Sequence, residues 1–189
     1  MFSNVSEKIT DSLVKSGTVD SDERDIYLFG VQQGLFVILN VATTVAIGFM
    51  LDVFWQLLIF TGALIALKSY AGGYHAKTSQ RCYLFSTLLT ISVTSAIKYV
   101  ILHAFAYVGL IMLAGIIIIM FSPISCENRA LDDLERKVYR KKAIIICAIE
   151  IVAAVVFLCL NLQSVAIGII WCLVAVSLMM IGCLLGGNY

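Results

Sequence analysis

Six long apolar segments dominate this sequence and decide what the chain can fold into. They cover residues 27–51, 53–67, 82–101, 104–121, 143–160 and 165–185. Most of them reach the roughly 20 residues that a helix needs to cross a bilayer core of ~30 Å, and a helix satisfies its own backbone hydrogen bonds in lipid. Of the 189 residues, 61% are hydrophobic and 13% are charged, which is too much apolar surface for a water-soluble domain to bury. We therefore expect an all-α, polytopic membrane protein with about six transmembrane helices, in which residues 1–189 form one membrane-embedded domain.

A shorter amphipathic segment precedes the first apolar one. Phe2, Val5, Ile9 and Leu13 recur at helical spacing, with charged residues between them. This pattern predicts a helix that lies in the membrane interface. A helix that packs its apolar face against the rest of the protein is equally compatible with it. The acidic residues 17–25 then have the composition of a turn.

The basic residues predict how the spans are oriented. They concentrate in two connections, namely 68–82 with Lys68, Lys77 and Arg81, and 122–142 with Arg129, Arg136, Lys137, Arg140, Lys141 and Lys142. With six spans, both connections and both termini fall on one side of the membrane, which the positive-inside rule assigns to the cytoplasm. The net charge is only +1 and no basic face is evident outside these short connections, so we expect no nucleic-acid partner.

Two charged residues fall inside the predicted spans. Lys98 lies near the outer end of the third span, where its long side chain can extend to the interface. Glu150 lies about seven residues into the fifth span, or ~10 Å deep at 1.5 Å per residue. A carboxyl group at that depth is costly, so it either has a function, or binds a neighbouring helix, or is protonated.

The connection KSYAGGYHAKTSQRC, residues 68–82, contains the residues best suited to chemistry. Cys82 is expected to open the third helix, where the positive end of the helix dipole favours the thiolate, and Arg81 and Lys77 act in the same direction. His75 could take the proton from the thiol and return it to a leaving amine. The alternative is a polar linker whose charges only set the topology. The sequence has neither a CxxC pair nor an HExxH motif, so we expect no metal and no cofactor.

The spacing of this pair imposes a geometric condition. In one straight helix, His75 and Cys82 would stand ~10.5 Å apart along the axis, well beyond the ~3 Å that proton transfer requires. Catalysis therefore predicts a non-helical break between Tyr70 and Gln80. The adjacent glycines, Gly72 and Gly73, can adopt the backbone conformations that such a break needs.

The pattern of a basic residue, Gly-Gly-x-His and a cysteine seven positions after the histidine resembles the accessory gene regulator protein B (AgrB) family. The residues that match are Lys68, Gly72, Gly73, His75 and Cys82. The resemblance extends to the chain length, the amphipathic first segment and a second polar connection, PISCENRALDDLERK, after the fourth span. Lys68 stands where the family usually has arginine, which keeps the charge but loses the guanidinium fork.

This resemblance implies a membrane-embedded cysteine endopeptidase of Gram-positive bacteria, located in the cell membrane. Such proteins cut the carboxyl-terminal part from a short precursor peptide of the AgrD type. Cys82 would be the nucleophile and His75 the general base and acid. A thiol or hydroxyl of the peptide then resolves the acyl-enzyme, which gives a thiolactone or lactone ring that serves as a quorum-sensing signal.

The second basic connection suggests a contact with that precursor, because precursors of this family carry an acidic tail. The residues that could hold the tail are Arg136, Lys137, Arg140, Lys141 and Lys142. They could equally fix the topology and bind anionic headgroups of the membrane lipids. For a third catalytic residue, the sequence offers Gln80, Glu127 and Asn128 without distinguishing between them, and the backbone amides that open the third helix could stabilise an oxyanion.

Two other classes of function remain open at this point. In a small multi-span transporter or peptide exporter, a path would be lined by Glu150, Lys98, Gln32, Gln33 and Asn40. A membrane scaffold would tolerate the loss of both His75 and Cys82. Gly109 and Gly115 in the fourth span would allow close helix packing, either within the chain or in a homo-oligomer.

Overall fold

The computed structural model describes residues 3–72, 79–124 and 132–185, and within these ranges the fold is helical, without strands. The elements are α1 (Ser3–Lys15), a 3₁₀ turn (Ser21–Glu23), α2 (Arg24–Met50), α3 (Phe54–Ala71), α4 (Ser79–Tyr99), α5 (Ala104–Phe121), α6 (Asp133–Cys159) and α7 (Gln163–Leu185). Each predicted span corresponds to one of the helices α2 to α7. Among the described residues, five of these helices, all except α4, are long and apolar enough to cross a membrane. The predicted all-α, polytopic fold is confirmed.

Several predicted boundaries are wrong, and the largest error is at α6. This helix begins at Asp133 rather than at residue 143, because a capping box starts it in a polar stretch. The Asp133 N–H donates to Asp132 Oδ1 at 2.7 Å, and the Asp132 N–H donates to Glu135 Oε2 at 3.3 Å. Five of the basic residues predicted to lie in a loop therefore lie on the first turns of a helix, namely Arg136, Lys137, Arg140, Lys141 and Lys142, and Arg129 lies outside the described residues. In addition, α3 continues beyond residue 67 to Ala71, and α4 begins at Ser79 rather than at Cys82.

The helix α7 forms the centre of the bundle, where it packs against α3, α4, α5 and α6. Ile170, Cys172, Ala175 and Met180 are buried on it, and at 100° per residue they lie on more than one side of the helix. Gly168 lets α7 approach α3 closely, since a Cβ atom there would lie 2.7 Å from the Gln56 carbonyl oxygen. Small residues at such contacts provide close van der Waals packing, the main attraction between helices in lipid.

The helices α2 and α4 pack on each other at one side of this core. Two side-chain hydrogen bonds join them near the start of α4. Gln33 Nε2 donates to Ser79 Oγ at 3.0 Å, and the hydroxyls of Thr43 and Tyr83 are also 3.0 Å apart. These bonds fix where α4 begins relative to α2.

The first helix, α1, packs on α2 through small polar residues rather than through its apolar ones. Ser6 and Thr10 are fully buried, whereas Val5 is 49% and Ile9 39% exposed. A salt bridge of 2.7 Å between Asp11 and Arg24 adds to this contact. The alternative prediction, that the apolar face packs against the rest of the protein, is thus wrong for Val5 and Ile9. These apolar side chains face outward, as they would in a helix that lies in the membrane interface.

Two contacts define the ends of the bundle. At one end, Lys98 Nζ donates to the Leu51 carbonyl at 3.1 Å, which joins the end of α4 to the hairpin between α2 and α3. At the other end, Gly72 after α3 lies beside Ile124 after α5. We call this second end the motif end, because α3 finishes there and α4 starts there.

Candidate active site

The last turn of α3 is closed by Gly72, whose N–H donates to the Lys68 carbonyl at 3.2 Å. Its φ of 77° lies in the region that favours glycine. Ile124 runs parallel to it and donates its N–H to the Ala71 carbonyl at 3.0 Å. A Cβ atom at Gly72 would overlap the Ile124 carbonyl oxygen. The helix thus ends where the catalytic interpretation requires a break, and the neighbouring chain fixes that end.

Cys82 lies in the first turn of α4 and is partly buried. Next to it, Arg81 is exposed, while Lys68 in the last turn of α3 is partly buried. Gly73 and His75 lie outside the described residues, so the contact between His75 and Cys82 stays a prediction. Of the candidates for a third catalytic residue, Gln80 is exposed on α4, and Glu127 and Asn128 lie outside the described residues.

The other described cysteines differ from Cys82 in position. Cys147, Cys172 and Cys183 are buried inside the bundle, and Cys159 is exposed at the last residue of α6. Among the five cysteines that the structure describes, Cys82 alone is in the first turn of a helix. The backbone N–H groups of such a turn have no partner within the helix, so they can donate hydrogen bonds to an anion.

A basic cavity of about 680 Å³ opens at the motif end. Three cations of α6 line it, namely Arg136, Lys137 and Arg140. The rest of the lining is Asp133, Leu184 and residues 120–124, which comprise the end of α5 and the three residues after it. Ile124 belongs both to this wall and to the contact with Gly72. The basic cavity is therefore adjacent to the end of α3.

The remaining two basic residues of the predicted set have other positions. Lys142 Nζ lies 4.9 Å from the centre of the Tyr70 ring, and Tyr139 contacts the same ring at a centroid distance of 5.6 Å. Lys141 is exposed and does not line the cavity. Of the five basic residues predicted to hold the tail, three thus line the cavity. Lys142 attaches α6 to α3, and Lys141 does neither.

The residues predicted to line a transport path do not share one location. Glu150 is buried where α6 meets α7, and Cys172 Sγ donates to its Oε2 at 3.8 Å. Gln33 contacts Ser79 of α4, and Lys98 contacts Leu51 at the end opposite the motif. Of the two glycines in α5, Gly115 packs against the Ile151 side chain of α6, whereas nothing lies within 4 Å of a Cβ at Gly109.

Sequence reasoning missed Ile124 and Tyr70 as parts of the site. Ile124 acts through its backbone, which any residue could provide, so its side-chain type carried no signal. Tyr70 is inside the motif segment and aromatic, but its partners Tyr139 and Lys142 are distant in sequence. If residues 133–142 had been predicted to be helical, Tyr139 and Lys142 would have been placed on one face of the helix, because they are three positions apart.

Comparison with protein families matches residues 6–181 to the family described as Accessory gene regulator B. This chain belongs to that family. Accessory gene regulator B membership connects the chain to the accessory gene regulator system, as the motif at Gly72 and Cys82 predicted.

Two curated relatives come from Clostridium perfringens. The "Putative AgrB-like protein" of strain SM101 / Type A is 21% identical over 194 residues, covering 90% of this chain and 89% of the relative. The "Putative AgrB-like protein 2" of strain 13 / Type A is 21% identical over 150 residues, covering 75% of this chain and 70% of the relative. No solved structure matches the chain.

Proposed function

We propose that this chain is a membrane-embedded cysteine endopeptidase that removes the carboxyl-terminal part of an AgrD-type precursor peptide. The observation that carries the proposal is the position of Cys82, partly buried in the first turn of α4 and seven residues after the motif histidine. Family membership supplies the substrate class. Gly72, which Ile124 holds in place, anchors the start of the chain segment that leads to His75 and Cys82.

The proposed reaction has two steps. The Cys82 thiol gives its proton to His75, and the thiolate attacks the carbonyl carbon of the cleaved peptide bond. His75 then returns the proton to the leaving amine, the carboxyl-terminal tail departs, and a thioester to Cys82 remains. A thiol or hydroxyl of the bound peptide attacks this thioester, closes a thiolactone or lactone ring and restores the Cys82 thiol.

Chain geometry supports the role of His75. His75 follows Gly72 by three positions, so it is tethered within ~10 Å of a residue that Ile124 holds in place. The backbone N–H groups that open α4 would stabilise the oxyanion that forms during attack. Gln33 contributes indirectly, since its bond to Ser79 fixes the turn that carries Cys82.

The basic cavity would receive the acidic tail of the precursor. Arg136, Lys137 and Arg140 provide the positive charge, and Ile124 brings the cavity wall next to the end of α3. Both features lie at the motif end, which we expect to face the cytoplasm. A precursor could then span from Cys82 to α6, with its tail held while the bond is cut.

The catalytic proposal is tested by reconstituting the purified chain in lipid vesicles with an AgrD-type precursor. Cys82→Ala and His75→Ala should leave the tail uncut, although both variants insert normally. Cys159→Ala is the matched control, because Cys159 is an exposed cysteine away from the motif, and it should cleave like the wild type. A peptide-sized mass adduct on Cys82 would establish the thioester. Continued cleavage by Cys82→Ala would overturn the proposal.

The tail contact has its own test. Arg136→Glu combined with Arg140→Glu should raise the KM for the precursor about tenfold or more and change kcat little, since the contact is remote from the cleaved bond. Lys141→Glu and Lys8→Glu together change the charge by the same amount at exposed positions outside the cavity lining, so they provide the control. If both pairs change the KM equally, the basic residues act through the overall charge and the cavity does not bind the tail.

A further inference from the structure

A second cavity, of about 310 Å³, lies between α2, α3 and α4. We call it the lateral groove. Leu57 and Phe60 of α3 are almost fully buried beneath it, whereas Val41 and Val45 of α2 are exposed at its edge. The groove therefore runs within the apolar part of the bundle and opens sideways. Its volume is at the lower end of cavities that bind small organic ligands, so it can hold the side chains of a few residues.

The lateral groove leads towards Cys82. Along α3 its lining extends from Phe54 to Lys68, which corresponds to ~21 Å of helix at 1.5 Å per residue. On α4 it includes Phe85 and Ser86, which follow Cys82 by three and four residues. Residues at this spacing share one face of a helix, so Cys82 continues the groove-lining face at the motif end.

The lining combines apolar walls with several hydrogen-bonding side chains. Asn40 Nδ2 donates to the Phe36 carbonyl at 3.0 Å, and Thr61 Oγ1 donates to the Leu57 carbonyl at 2.7 Å. Both side chains use a donor in these bonds and keep acceptor oxygens that can face the groove. A peptide backbone offers N–H donors to such acceptors, whereas a lipid acyl chain offers none. The lining thus favours a peptide over a hydrocarbon chain.

We propose that the lateral groove binds the apolar residues on the amino-terminal side of the cleaved bond, in an extended conformation. This inference rests on the proposed peptidase function and extends it to substrate selection. The bound residues would bring the cleaved carbonyl to Cys82, while the tail on the other side of the bond enters the basic cavity. Lys68 lines the groove in the last turn of α3, at the motif end, so its charge would disfavour a basic side chain next to the cleaved bond.

The groove is tested by matched substitutions on one helix. Ser86→Leu fills the groove, and Ser92→Leu makes the same change at an exposed position of α4 outside the lining. The substrates are AgrD-type precursors with alanine, leucine or lysine immediately before the cleaved bond. Wild type should prefer leucine and cleave the lysine peptide poorly. Ser86→Leu should lower kcat/KM for the leucine peptide at least tenfold and for the alanine peptide less, while Ser92→Leu stays within twofold of wild type.

A second pair of variants keeps the test valid if Ser86→Leu does not fold. Thr61→Leu narrows the groove from α3, and Ala66→Leu adds a similar side chain at an exposed position of α3 outside the lining. An equal loss for all three peptides, or no loss in either groove variant, would overturn the inference. So would a loss that depends on the acyl-chain length of the vesicle lipids, because that result identifies a lipid site.

Binding can also be measured without cleavage. In Cys82→Ala, a precursor with a photoreactive side chain before the cleaved bond should cross-link to groove residues of α3 or α4. Cross-linking elsewhere rejects the groove whether or not the chain is a peptidase. Conversely, groove cross-linking combined with cleavage by Cys82→Ala would reject the peptidase proposal alone.

Discussion

Gly72 and Ile124 lie side by side in a parallel bridge that joins the ends of α3 and α5. The Ile124 N–H bonds to the Ala71 carbonyl, and the Ile124 carbonyl occupies the space where a side chain at position 72 would be. The glycine of the motif is therefore required by a backbone contact. This contact places Gly72 beside Ile124, which belongs to the wall of the basic cavity.

Gly72→Ala should abolish most of the cleavage while the protein still inserts. The backbone of Gly72, at φ 77° and ψ −154°, costs a non-glycine residue ~1–3 kcal/mol, and the added Cβ must also displace Ile124. We expect a lower unfolding temperature in detergent and at least a tenfold loss of precursor cleavage. Gly109→Ala is the control, since nothing lies within 4 Å of a Cβ there. Wild-type behaviour of Gly72→Ala would show that the bridge has no role.

Cysteine labelling should follow the burial of the described thiols. Iodoacetamide should modify Cys82 and Cys159 in the folded protein, because both are at least partly accessible. Cys147, Cys172 and Cys183 are buried and should react only after denaturation. Mass mapping of labelled peptides before and after denaturation checks this. Protection of Cys82 from labelling in the folded protein would contradict its partial exposure in the first turn of α4.

The ring of Tyr70 should contribute to the attachment of α6 to α3. Tyr70→Leu removes the ring contact with Tyr139 and the cation–π contact with Lys142, so we expect a loss of about 1–2 kcal/mol in unfolding free energy. Tyr70→Phe keeps both contacts and should stay close to wild type. Denaturation of the two variants in the same detergent measures the difference, and equal stability would mean that the ring contacts contribute nothing.

Glu150→Gln should leave precursor cleavage within twofold of wild type. Glu150 contacts Cys172 between α6 and α7, and it lies ten residues beyond Arg140, or ~15 Å further along α6. Glutamine preserves the shape of the side chain and replaces the ionisable carboxyl group by a neutral amide. A large loss of activity in a variant that folds normally would instead indicate that the buried carboxyl takes part in function.

The helices were predictable because lipid leaves the backbone few choices. An apolar run of sufficient length must be helical to satisfy its own hydrogen bonds. Each of the six predicted spans is a helix, although α4 is less apolar than the five that are apolar enough to cross a membrane. The start of α6 was missed because residues 133–142 are polar and are made helical by a local capping box instead. The exposure of Val5 and Ile9 was left open because periodicity shows that a helix has two faces, but not which face meets lipid.

The amino-acid sequence alone determined the number of apolar helices, the motif of Gly72 and Cys82, and the excess of basic residues in two connections. These properties are local, since they depend on residue type and on spacing along the chain. Only the tertiary structure decided that Ile124 holds Gly72, that three of the five predicted cations line one cavity, and that the lateral groove continues the face of Cys82. Each of these depends on contacts between separate helices, because the packing of α2 on α3 and α4, and of α3, α5 and α6 around α7, sets which residues meet.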